Sequence, residues 1–137
     1  MEELGTSSEY LLEIGLEELH KESKVWASRI KLWKRELDFF QKLLDSNASK
    51  FESEEDKKAE DHFQNLIIYY NGELLDQFKQ SVRRQEKQLG IMLTTNDYAD
   101  ESTFRRKHIQ LKEEIDSFDD QFRKTKAEFF QLIESVL

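Results

Sequence analysis

Cysteine and proline are both absent from this sequence of 137 residues, and glycine occurs only four times. Without cysteine there is no disulfide scaffold, no thiol nucleophile and no thiolate metal ligand, and the chain is compatible with a reducing compartment. Without proline no φ angle is locked and no backbone donor is lost, so helices stop only where caps and changes of polarity stop them. So little glycine and proline also leaves few tight turns for a sandwich or barrel. Long hydrophobic runs are missing as well: nowhere do 18 apolar residues follow one another, and the start MEELGTSSEYLLEIGLEE is acidic where a secretory signal needs a basic region. The expectation is a cytoplasmic chain without membrane partners, forming one helical-bundle domain over residues 1–137.

What is present in quantity is charge. Charged residues make up 36% of the sequence and the formal net charge is -8. A chain of this sign repels a polyanion over most of its surface, which disfavours nucleic acid as a partner. A domain of this length buries roughly 70% of the surface its unfolded chain exposes, enough for a sizeable core.

Two breaks divide the apolar rhythm. The first is DSNASKFESEED, residues 45–56, where Ser53 stands three residues before Asp56 at the spacing of a helix N-cap. The second is LGIMLTTNDYADEST, residues 89–103, with cap candidates at Asp100 and Ser102. Three helices over about 8–46, 54–92 and 101–136 follow, each near 55–60 Å long. In the first, Leu12, Leu16, Leu19, Ser23, Trp26, Ile30, Trp33, Leu37, Phe40 and Leu44 alternate steps of three and four. The third repeats that alternation from Phe104 through His108, Leu111, Ile115, Phe118, Phe122, Thr125 and Phe129 to Leu132 and Val136. The second is less regular. Its seam begins with Phe63, Ile67, Tyr70 and Leu74 and continues through Phe78, Val82, Gln85, Leu89 and Met92, a mean period nearer 3.6 that predicts a straighter helix. Gly72 inside it costs about 1 kcal/mol relative to alanine, for which a close helix contact is one explanation. Short connections make the economical fold an all-α, antiparallel three-helix bundle of long coiled-coil-like helices, up-down-up.

Certain residues also carry a resemblance. Leu19, His20, Trp26, Glu36 to Phe40, Leu43 and Leu44, then HFQNLI with ELLDQFK (residues 62–67 and 73–79), then HIQLKEEIDSF with EFFQLI (residues 108–118 and 128–133) resemble a family of short, all-helical bacterial proteins with no assigned activity. The resemblance covers nearly the whole chain and implies a single cytoplasmic bundle. It further implies extra histidines in relatives near Ser23 and near Ser81 and Gln85, so a metal held by such relatives would have fewer ligands here.

Three constellations bear on function. Folding back at both breaks brings His20, Ser23, Ser81, Gln85 and His108 to about the same height, a polar layer that can fix register or hold a metal or small ligand. At most two histidines converge there, and the inward Glu-x-x-His pairs of a di-iron bundle are missing. The second constellation is a basic patch of Arg83, Arg84, Lys87, Arg105 and Arg106 beside the second break, interleaved with Glu86, Asp97, Asp100 and Glu101. It reads as an anion or acidic-partner site or as a solvated surface. The third is an apolar excess outside the seams: Val25, Leu32 and Phe39 one heptad apart on the first helix, and Ile68 and Leu75 on the second. Exposed apolar patches mark interaction sites, so the expected partner is a second copy of the chain or another protein, met through the outer flanks of the first two helices. No cysteine nucleophile, Gly-rich phosphate loop or H-E-x-x-H motif accompanies these features, and the serines lie in polar loops or on helix faces without a paired histidine and acid, so neither catalysis nor a cofactor is expected.

Overall fold

The computed structural model describes the backbone of residues 4–137 and the side chains of residues 15–137, so the Leu12 side chain lies outside the described residues. Helix α1 covers Leu4–Ser46. Asn47 then closes it: its side-chain amide donates to the Leu43 carbonyl at 2.8 Å, and a short 3-10 turn, Ala48–Lys50, leads to Phe51, whose ring is buried and pins the connection to the core. Ser53 caps the next helix, its hydroxyl accepting from the Asp56 N–H at 3.0 Å.

Helix α2 is built of Glu54–Tyr69, one π turn at Tyr70–Leu74, and Leu75–Thr95. It ends on Asn96 in the left-handed region, φ 55°, while the Thr94 and Thr95 hydroxyls donate back to the Gly90 and Ile91 carbonyls. Helix α3 covers Glu101–Val136. Asp100 occupies its N-cap position, but the carboxylate makes no capping bond there, so that cap is weaker than the one Ser53 supplies.

The direction of the helices follows from their contacts. Trp26 meets His108, Trp33 meets Phe118 and Phe40 meets Phe129, numbers rising together, so α1 and α3 are parallel. Phe63 meets Phe129 and Tyr70 meets Phe118, one number rising as the other falls, so α2 runs against α3. Helix α2 runs against α1 too, with Glu86 at His20 and Asn71 at Lys34. Among the described residues the fold is all-α. The main core extends from Trp26 to Ile133 around Phe118 and Phe122, whose rings stack at 5.2 Å. A smaller cluster of Leu16, Leu89, Met92 and Phe104 fills the opposite end.

The π turn corrects the expected seam of α2. A turn that closes i to i+5, as the Leu75 N–H does on the Tyr70 carbonyl, holds one residue more than an α turn. The buried series therefore steps by five from Tyr70 to Leu75 and resumes at Phe78, Val82 and Gln85, leaving Leu74 only half-buried. Leu75, expected on an outer flank, is 0% exposed and belongs to the core. Gly72 is corrected as well: a Cβ built there meets nothing within 4 Å, so no close helix contact accounts for it.

Candidate functional site

The polar layer lies between the two apolar clusters. His108, Ser23 and Gln85 are buried in it. The His108 Nε2–H donates to Glu22 Oε1 at 2.9 Å while its ring packs on Trp26, centroids 4.6 Å apart. Its Nδ1 is buried without a protein partner. The Gln85 side-chain amide donates to the Phe104 carbonyl at 3.0 Å, tying α2 to α3. His20 and Ser81 stand outside this layer. His20 is half-exposed and pairs through Nδ1 with Glu86 at 2.6 Å, and Ser81 is half-buried, its hydroxyl accepting from Arg84 at 3.4 Å. Among the described residues no three His, Cys, Asp or Glu side chains gather as a metal cage. What the layer does chemically is join three helices by directed polar contacts.

The basic patch is divided by the fold. Arg83, Arg84, Lys87 and Arg106 are exposed, but Arg105 is turned inward, paired with Glu101 one turn earlier. Its guanidinium lies over Gly15, where a Cβ would stand 2.9 Å from Arg105 Nη2. Arg105 therefore packs α3 against α1 at Gly15 and is not a free charge for a ligand. Arg84 and Lys87 border a groove of about 780 Å³ between α2 and α3, together with Lys107. Asp100 and Glu114 line the same groove, so its cations face carboxylates.

A third polar assembly follows from the π turn. The Asn71 carbonyl, inside that turn, accepts from Lys34 Nζ at 2.8 Å, and Lys34 also reaches Asp76 Oδ1 at 2.7 Å. The Asn71 amide donates to Asp38 Oδ1 at 2.8 Å. The Lys34 hydrogen bond holds the Asp76 carboxyl below the ordinary carboxylate range against an opposing desolvation effect, with the charges of Lys34 and Lys79 adding to the lowering.

The fourth assembly is a ladder between the two parallel helices. Glu22, Arg29 and Glu36 of α1, spaced by seven, pair with Lys112, Asp119 and Lys126 of α3, also spaced by seven, at 3.6, 2.9 and 3.0 Å. Arg29 covers the Trp33 ring and Lys126 the Phe122 ring, so the pairs form a lid over the aromatic core. Residues three or four apart share a helix face. Val25, Leu32 and Phe39 thus flank the ladder on α1, and Ile109 and Phe130 flank it on α3. All five are exposed, at 55%, 56%, 53%, 56% and 43%. The rings of Phe39 and Phe130 both pack against Phe40, so the two helices' exposed aromatics form one group.

This geometry separates the residues that the sequence grouped into one interface. Lys34 faces α2, and Leu32 stands two positions, or about 200°, away around α1, so α2 lies on the opposite side of α1 from the Val25 row. Ile68 is exposed at 60% but precedes Asn71 by one turn, on the side of α2 that meets α1. The apolar face belongs to α1 and α3, not to α1 and α2. Ile109 and Phe130 were legible as off-seam apolar residues of the third helix. Their link to Val25 needed the parallel register that the ladder supplies.

Comparison of the chain with protein-family models, with curated proteins and with solved structures found no match to any of them. No helix among the described residues is long and apolar enough to cross a membrane.

Proposed function

We propose that the chain is a non-catalytic helical interaction module that self-associates through the face formed by α1 and α3, and that it works in the cytoplasm. The single observation that carries this reading is the concentration of Val25, Leu32, Phe39, Ile109 and Phe130 on one face, on both sides of an ion-pair ladder whose own charges are already matched. Exposed apolar side chains gathered on one face gain when a second surface covers them and excludes water. The polar layer supports the same reading, because His108, Gln85 and Glu22 are engaged in contacts that hold the helices together. A ligand there would have to compete with those bonds.

Sedimentation at micromolar concentration tests the reading. The expected result is a dimer that Phe39→Glu weakens by at least tenfold in Kd, since a carboxylate would be buried among apolar groups without a partner. Phe39 is more than half exposed, so the variant is expected to keep the helical content and melting behaviour of the parent. A strict monomer whose mass is unchanged by Phe39→Glu overturns the proposal.

A further inference from the structure

We infer that the second copy lies antiparallel on this face, α1 over α1 and α3 over α3, about a twofold axis level with Asp119 and Asp120. The inference rests on the self-association reading above and adds the arrangement. Its basis is the outward row of α3, where Ile109, Asp116, Arg123 and Phe130 follow one another at heptad spacing. The Asp116 and Arg123 side chains are 53% and 72% exposed, and among the described residues each pairs only with a neighbour on its own helix. Read along the helix the row is apolar, acidic, basic, apolar. The midpoint between Ile109 and Phe130 falls between Asp119 and Asp120, and the midpoint between Asp116 and Arg123 is the same point. A twofold axis there sets Ile109 against the second copy's Phe130 and Asp116 against the second copy's Arg123, and repeats both contacts by symmetry.

Helix α1 fits the same axis. Because Glu22, Arg29 and Glu36 keep a constant offset from Lys112, Asp119 and Lys126, the axis crosses α1 between Arg29 and Ile30. Val25 then comes within about 3 Å, measured along the helix, of the second copy's Leu32. Phe39 lies within one residue of the level of Phe130, so the second copy's Ile109 is seated on the aromatic group that Phe39, Phe40 and Phe130 form. The two Arg29 side chains that meet near the axis are each neutralised by Asp119 at 2.9 Å. The other twofold arrangement, with α1 over the second copy's α3 and all helices parallel, sets Val25 against Asp116 and Leu32 against Arg123. That pairing desolvates charge against apolar groups, which an interface disfavours.

The absence of native cysteine makes the arrangement testable with single thiols. Asp120 is exposed and lies one turn from both Asp116 and Arg123, next to the axis. Asp120→Cys is expected to form a disulfide-linked dimer under mild oxidation, at concentrations where sedimentation shows the parent to be dimeric. Asp116→Arg is expected to raise the dimer Kd about tenfold by facing like charge, and the double variant Asp116→Arg/Arg123→Asp to return it to within about threefold of the parent. If the parent is a monomer throughout, the self-association reading falls and this arrangement with it. If the parent is a dimer but Asp120→Cys does not link it, or Arg123→Asp does not repair Asp116→Arg, the arrangement alone is overturned.

Discussion

Helix α1 meets its two neighbours in different ways. Toward α3 it keeps step for four turns, with every heptad on one helix answered by a heptad on the other through Glu22–Lys112, Arg29–Asp119 and Glu36–Lys126. Toward α2, apart from the His20–Glu86 pair near one end, the polar contacts gather at one place, where Lys34 binds the Asn71 carbonyl and Asp76, and Asn71 binds Asp38. Over the length of the ladder both helices of the parallel pair repeat at the heptad period, so one offset serves all three pairs; after Phe129 the buried series of α3 steps to Ile133 and leaves Leu132 and Val136 half-buried. Helix α2 drifts from that period, and its π turn takes up the difference in one extra residue, which re-aims Leu75 into the core. A regular boundary leaves flat, evenly spaced rows outside it. An interrupted boundary concentrates its polar bonds where the backbone opens.

The largest expected effect lies at the interruption. Leu75→Ala should lower stability in urea unfolding by about 2–5 kcal/mol, and Leu74→Ala by well under half of that, because only Leu75 lies fully inside the core. Equal losses at the two positions would mean that the π turn does not set the face of α2. A smaller change of opposite sign is expected at Gly72→Ala. The site has room for a Cβ and a helical backbone, so the variant should gain about 1 kcal/mol, read from the same unfolding curves. A loss there would reveal a contact or strain that the geometry does not contain.

The smallest effect is electrostatic. The Asp76 carboxyl is held below its ordinary value chiefly by the hydrogen bond from Lys34. A group whose pKa is lowered by folding adds stability above its unfolded value and loses it as pH falls through the folded value. Asp76→Asn should therefore be slightly less stable than the parent near neutrality, and the gap should close at acid pH. Urea midpoints collected across the carboxylate range measure this, and a gap independent of pH would remove Lys34–Asp76 as its source. The Arg29–Asp119 and Glu36–Lys126 pairs are half-buried and Lys112 of the third pair is exposed, so loss of any one of them is expected to cost within about 1 kcal/mol.

Much of the fold was legible in residue spacing. The breaks at Asp45–Asp56 and Leu89–Thr103 hold the two connections, the Ser53 cap is present, and the third helix occupies the expected residues. The buried positions of α1 from Leu16 to Leu44 follow the alternation of three and four, with Leu19 half-buried at its edge. The candidate sites were less legible. Ser23, Gln85 and His108 share a buried layer, but His20 and Ser81 do not, because one residue of rotation moves a side chain from the core to the margin. Arg105 looked like its neighbours Arg106 and Lys107, yet a glycine on another helix gave it a place to fold inward.

What the sequence determined by itself is the class and length of the helices, since periodicity, caps and the lack of proline are local properties of the chain. Tertiary structure alone decided which apolar residues face outward together. Leu75 left the surface because a backbone turn widened, and Ile68 and Val25 separated because α2 packs on the side of α1 away from the Val25 row. Ile109 and Phe130 joined Val25, Leu32 and Phe39 because α1 and α3 run parallel in constant register. Each of these outcomes depends on the relative rotation and direction of whole helices. That information exists only once the helices pack.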